Sequence, residues 1–207
     1  MNGLINYWSF NGNYDDSIGG AHLSYGENAN LTFDRFNRSN SALNLTSGFL
    51  KAPNRVYFNS NFTFMAWIRK RQNVIWSRII DFGNGISNNN ILITMFTSFS
   101  TPNPVIRNYN GSSINIELFS TANVKINDWY HLSFVLNYPN LTIYTNGNIT
   151  GTGIANGYPS NVTRTKCYIG RSNWSANDDV NADLDEIKIF NRALSKEEIF
   201  YEMNYDE

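Results

Sequence analysis

Cysteine is nearly absent: the chain has one, Cys167. No internal disulfide can form, so the fold must stand on packing alone. Histidine is almost as scarce, with two among 207 residues. Such a set supports neither a zinc site nor a Cys–His nucleophile pair. Charge is thin, at 16% of residues with a net of −1, and no five like charges run together. That removes the electrostatic footprint of a nucleic-acid binder or of a protein held on an anionic membrane. No stretch approaches the ~20 apolar residues that span a bilayer, so direct membrane insertion is not expected. No signal peptide is visible, since Met1-Asn2-Gly3-Leu4 leads straight into a strand-like run. The expectation is either a cytoplasmic protein or one domain of a larger secreted chain. Phosphate-binding loops and nucleophile elbows are missing as well.

What is present is apolar and aromatic. Hydrophobic residues make up 42% and aromatics 15% of the chain. That is ample for one β domain spanning 1–207. Asparagine is abundant, at 34 residues, and nine Asn-x-Ser/Thr sites occur: Asn30, Asn37, Asn44, Asn61, Asn110, Asn140, Asn148, Asn161 and Asn173. Roughly five would arise by chance in such a composition, and the excess points toward a secreted glycoprotein.

A period of two dominates the pattern, as it does in half-buried strands. Strands are expected at 4–10, 62–69, 78–82, 90–97, 114–119, 129–136, 141–145 and 183–190. Shorter ones are expected at 42–52, 104–109, 148–154 and 166–170. In the run from Phe62 to Arg69, Phe62, Phe64, Ala66 and Ile68 share one face. Met65 and Trp67 lie on the other, so both faces of this strand read as covered. Asn146-Gly147 marks a tight hairpin, because both turn residues must take positive φ. A helix is expected only at the end, where Ser195-Lys196-Glu197-Glu198 forms a capping box ahead of Ile199, Phe200 and Met203. Cys167 sits in an alternating apolar run and reads as a small buried hydrophobe. The pattern predicts an all-β, two-sheet antiparallel jelly-roll sandwich with one short C-terminal helix.

Five blocks carry a family resemblance. They are Tyr7–Ser17, Phe62–Ile68, Trp129–Val135, Leu141–Gly147 and Leu184–Ser195. In this order they resemble the laminin G-like, concanavalin A-like jelly-roll domains of extracellular and glycan-associated proteins. The resemblance implies a non-catalytic binding or adhesion module, extracellular or at the cell surface, for a carbohydrate or glycoprotein. A structural or protein–protein interaction module of a larger surface protein is the alternative. It also implies one structural Ca2+, held between the loop after the first strand and the last strand. Asp16 and Asp185 match those positions, while Asn11 stands where the family has an acid. Asn11, Asn13, Asp15 and Asp16 crowd hard oxygens into six residues, as calcium requires; the same residues also suit turns that cap their own backbone.

Sugar sites combine an aromatic platform with planar polar groups. Two stretches have that chemistry: Ile80 to Asn90, and Arg171 to Asp179. Asp81, Asn84, Trp174 and Asp178 are the expected ligand-binding residues. Pairing of Asp81 with Arg78 or Arg171 is the competing reading. His131 reads as structural. A glycoside hydrolase of this fold would need alternating acids along one strand face. Asp183 and Asp185 supply two, Ile187 occupies the third position, and Glu186 points the opposite way. That leaves a degenerate hydrolase at most, and no enzyme is expected.

Overall fold

The computed structural model describes residues 2–205. Among these residues, thirteen strands and one helix form. The strands are β1 (Leu4–Trp8), β2 (Ser24–Thr32), β3 (Ala42–Ala52), β4 (Phe62–Lys70), β5 (Ser77–Gly83), β6 (Ile91–Phe96), β7 (Val105–Asn110), β8 (Ser113–Phe119), β9 (Trp129–Asn137), β10 (Asn140–Thr145), β11 (Asn148–Ile154), β12 (Lys166–Ile169) and β13 (Val180–Phe190). The helix is α1 (Lys196–Asn204). The hydrogen-bonded order is β11-β10-β9-β4-β13-β3-β12-β5-β6-β7-β8, with β1 on β13 and β2 on β3. These pairings are antiparallel.

The ribbon folds over on itself at β13. Its first residues, Val180–Leu184, pair with β3, and Ile187–Phe190 pair with β1. Between them the register against β4 shifts, and Glu186 takes φ +51°. Ala182–Leu184 pair with β4 and β3 at once, so this stretch joins the two layers, and past the bulge β1 takes the place of β3. One layer is β1, β13, β4, β9, β10 and β11. The other is β2, β3, β12, β5, β6, β7 and β8.

The inner faces follow the alternation read from the sequence. Phe62, Phe64, Ala66 and Ile68 from β4 join Leu132, Phe134 and Leu136 from β9. Opposite them lie Ile80 and Phe82 from β5, Ile91 and Ile93 from β6, and Ile106 from β7, all in one apolar cluster. Each large side chain buried this way contributes about 1.5–3 kcal/mol of transfer free energy. Cys167 is part of that cluster and is free. Burial pushes its thiol up to about 12, which leaves it unreactive.

The outer face of the first layer is covered too. Met65, Val135, Tyr144 and Phe190 pack beneath Leu194 and Ile199. The Trp67 indole N–H donates to the Met203 carbonyl at 3.3 Å. α1 starts at the capping box expected for it: Ser195 Oγ accepts from the Glu198 amide, and the Glu198 carboxylate accepts from the Ser195 amide. Asn146 and Gly147 take φ +50° and +74°, as their hairpin demands.

β2 was not anticipated. Ser-Tyr-Gly-Glu-Asn-Ala-Asn-Leu-Thr is mostly exposed and pairs with β3 through two register shifts. A bulged, one-sided edge strand carries no clean alternation.

Candidate functional site

The outer face of the second layer is built differently. Cross-strand register sets Lys51, Tyr168, Asp81, Leu92, Arg107 and Glu117 in one row over β3, β12, β5, β6, β7 and β8. The loop 170–179 returns over this row. Gly170 (φ +89°) starts it where a Cβ would lie 2.5 Å from Leu45 and 2.6 Å from the Gly48 carbonyl, so no other residue fits.

Trp174, half-buried, stands up from that loop. Its ring centroid is 5.6 Å from that of Tyr109. The Arg78 guanidinium lies 5.5 Å from the rings of both Trp174 and Trp76, and Arg107 lies 4.9 Å from Trp76. Aromatic faces and guanidinium groups thus alternate, each contact being worth about 0.5–1 kcal/mol where exposed. A cavity of about 460 Å³ opens on one side of Trp174, lined by Lys166, Tyr168, Arg171, Asn177 and Asp178 among others. A second, of about 220 Å³, is lined by Trp76, Arg78, Arg107 and Tyr109; Trp174 and Asn177 line both.

Of the four residues expected to bind ligand, Trp174 and Asp178 meet at the larger cavity. Asp81 lies underneath, fully buried. Its carboxylate accepts from Asn90 Nδ2 at 2.8 Å, Asn173 N at 3.0 Å, Asn173 Nδ2 at 2.9 Å and Arg78 Nε at 3.4 Å. Burial pushes this carboxyl up, and Arg78 with the Asn173 amide pulls it back. Asp81 is therefore the anchor that fixes Asn173, and with it the neighbouring Trp174, rather than a surface contact. Asn84 lies outside both cavities: its carboxamide binds Thr163 and Thr165. Trp76, Arg78, Arg107 and Tyr109 were not expected as cleft residues, and Asn177 lay in the expected stretch without being singled out. Alternation in β7 places Arg107 and Tyr109 outward together, which was a readable signal; the approach of Trp76, from before β5, carried none.

The sequence from residue 44 to residue 200 matches the family model for the concanavalin A-like lectin/glucanases superfamily, more than half of the chain. The chain belongs to the concanavalin A-like lectin/glucanases superfamily. A search of curated protein sequences returned no match. Among solved structures, domain 4 of AbnA, a GH43 extracellular arabinanase from Geobacillus stearothermophilus in complex with arabinotriose, superposes with a TM-score of 0.75 at 15% identity, covering 96% of this chain and 97% of that one. The binding domain of Paraclostridial Mosquitocidal Protein 1 gives 0.70 at 18%, covering 97% of this chain and 52% of that chain. A botulinum neurotoxin type C structure, whose cell entry depends on two ganglioside molecules, gives 0.68 at 19%, covering 97% and 50%. The chain thus spans about half of each toxin structure, and identities this low establish the shared superfamily fold.

The calcium that the superfamily resemblance implied does not fit the donors present. Asp16 Oδ1 accepts from the amides of Tyr7, Ile18 and Gly19, and Oδ2 from Ala21 N and Asn6 Nδ2, all at 2.7–3.0 Å. Burial raises the Asp16 carboxyl, but the Gly19, Tyr7, Asn6 and Ala21 donors outweigh it and hold it below its ordinary value. Five N–H donors converge on two oxygens that have about four lone-pair directions between them, which leaves none for a cation. Asp185 faces a guanidinium, Arg35 Nη1, at 2.8 Å. Burial, then Glu186, pushes the Asp185 carboxyl up to about 8 while Arg35 opposes. Asn13 Oδ1 closes a turn onto the Asp15 amide, and the Asn11 amide lies 3.5 Å from Ser9 Oγ. Among the described residues, no three acidic, His or Cys side chains gather where a metal could sit.

On β13, Asp183 has both oxygens engaged, whereas Asp185 Oδ1 is buried without a hydrogen-bond partner. Asp183 accepts from Asn44, Arg69 and Arg71 at 2.6–2.7 Å. Neither Asp183 nor Asp185 is placed as one of a free, facing carboxylate pair. His131 is buried against Trp67, with ring centroids 5.3 Å apart. Burial, then Lys188 and Arg35, hold its pKa down to about 3, so it stays neutral.

Proposed function

We propose that this chain is a non-catalytic saccharide-binding module working outside the cell, with its ligand seated at the Trp174 cleft. The observation that carries this is the Trp174 indole, which separates two cavities that share Asn177. A flat ring of this kind stacks on the C–H face of a sugar, and planar polar groups around it reach the hydroxyls. Arg107 and Arg78 lie on one side, and Arg171 and Asp178 on the other. Arg171 is itself held by Asp179 at 2.5 Å, which fixes its direction. The arabinotriose and ganglioside ligands of the structural neighbours, and the extracellular setting of the arabinanase, support a carbohydrate or glycoprotein partner. Asp183, held by both Arg69 and Arg71, is not available as an attacking or activating partner for Asp185, which supports a non-catalytic role, since a glycosidase needs one carboxyl to donate and one to attack or activate water.

The test is a glycan array that includes arabino-oligosaccharides and ganglioside headgroups, followed by calorimetry on the hits. Trp174→Ala should weaken binding at least about tenfold, equal to about 1.4 kcal/mol. An empty array would favour the protein-interaction alternative. Unchanged affinity in the variant would remove the cleft from the account.

A further inference from the structure

Lys70 continues the inward series of β4, after Phe62, Phe64, Ala66 and Ile68. It comes at the open end of the sandwich, where the two layers part. The residue is 2% exposed. Its ammonium lies 4.7 Å from the Phe96 ring, and no carboxylate among the described residues pairs with it. A buried ammonium without a counter-charge is costly, because nothing offsets the lost hydration. Burial holds its pKa below the ordinary lysine value.

This amine lines a cavity of about 320 Å³. The rest of the lining is informative. Lys125 adds a second cation, and no acid is present. The Asn73 side-chain oxygen is buried without a hydrogen-bond partner, and Asn123 adds a further carboxamide. Phe99, 72% exposed, offers a ring face at the mouth. One buried cation, one exposed cation, free amide groups and a flat apolar wall describe a receptor for a singly charged anion that also carries hydroxyls.

We propose that this end cavity binds a carboxylate-bearing sugar residue of the uronate type, with the carboxylate on Lys70, hydroxyls on Asn73 and Asn123, and the ring against Phe99. A volume near the lower end of the ~300–1,000 Å³ found for ligand pockets suits one such residue. The site is separate from the Trp174 cleft and stands or falls independently of it.

The experiment is an NMR titration of the isotope-labelled whole chain with glucuronate, glucose and acetate in parallel, each to tens of millimolar. Glucuronate should shift the backbone amides of Lys70, Asn73, Phe99 and Lys125 with saturating, millimolar behaviour, leaving Tyr109, Trp174 and Asn177 to report separately on the first cleft. Glucose should fail for lack of charge, and acetate should bind at least about tenfold more weakly for lack of hydroxyl contacts. Lys70→Met should abolish the glucuronate shifts, Lys70→Arg should retain part of the response, and Lys196→Met, which removes an exposed charge elsewhere, should change nothing. Equal responses to glucose and glucuronate would overturn the proposal. So would acetate binding as tightly as glucuronate, or undiminished glucuronate binding in a folded Lys70→Met protein.

Discussion

The two outer faces of the sandwich have been put to opposite uses. Over β4, β9 and β13 the face is closed: Met65, Val135 and Phe190 are sealed under Leu194 and Ile199, and the charges beside them are paired inside it, Lys188 with Glu202 and Asp185 with Arg35. Over β5, β6, β7 and β12 it is polar, aromatic and open, and Trp174 rises from it between two cavities. The difference lies in what the chain lays on each layer. A capped amphipathic helix excludes water from the first. A polar loop held by Asp81 keeps the second wet but ordered. Stability and recognition are thereby carried by different faces, and changes to one should leave the other's property intact.

Asp81 is where that separation should fail most visibly. Asp81→Ala strips the counter-charge from buried Arg78 and the anchor from Asn173, and should cost about 3–5 kcal/mol in urea unfolding, with saccharide binding lost as well. Ile199→Ala, under the helix, should cost about 2–4 kcal/mol in the same assay, while binding at the Trp174 cleft stays as it was. A binding defect in that variant would show the faces to be coupled.

Acid should act on the closed face. His131 is neutral in the native state with a pKa held down to about 3, against about 6.5 unfolded. Its contribution is complete above pH 6.5 and is lost progressively as pH falls toward 3, because the unfolded chain takes up the proton first. Between pH 7 and pH 5 the wild type should lose about 2 kcal/mol relative to His131→Gln, read as the difference between their urea curves. Lys70→Met, which removes an unpaired buried charge from the open end, should raise stability by about 1 kcal/mol, visible as a melting temperature higher by a few degrees. The smallest effect is expected from calcium: millimolar Ca2+ and chelator should give melting temperatures within about 1 °C, since a ligand of the native state alone must otherwise shift them.

The layered core was legible because oily side chains repeat every second residue, as from Phe62 to Ile68, and the helix because its cap residues are local in sequence. The site was legible only in its parts. Trp174 announced itself as an aromatic in a polar loop. The depth of Asp81 did not, because the carboxylate is enclosed by Asn173, 92 positions later in the chain. Asp16 misled for a related reason. A carboxylate among asparagines reads as a cation ligand, yet the turn that follows aims the amides of Ile18, Gly19 and Ala21 back at it. Lys70 falls one residue past the strand expected at 62–69, and both its inward turn and its lack of a partner depend on which loops close the end of the sandwich.

β2 has one further consequence. A sheet margin is an invitation to a second copy of the same chain, whose own unpaired amides and carbonyls could continue the ladder. Here the margin at β2 is kinked twice and carries Glu27. At the other end of the ribbon the margins meet each other, as the Thr121 amide reaches the Thr150 carbonyl and the Asn156 amide the Asn115 carbonyl. At these margins little straight, unclaimed backbone is left for a second copy to pair with.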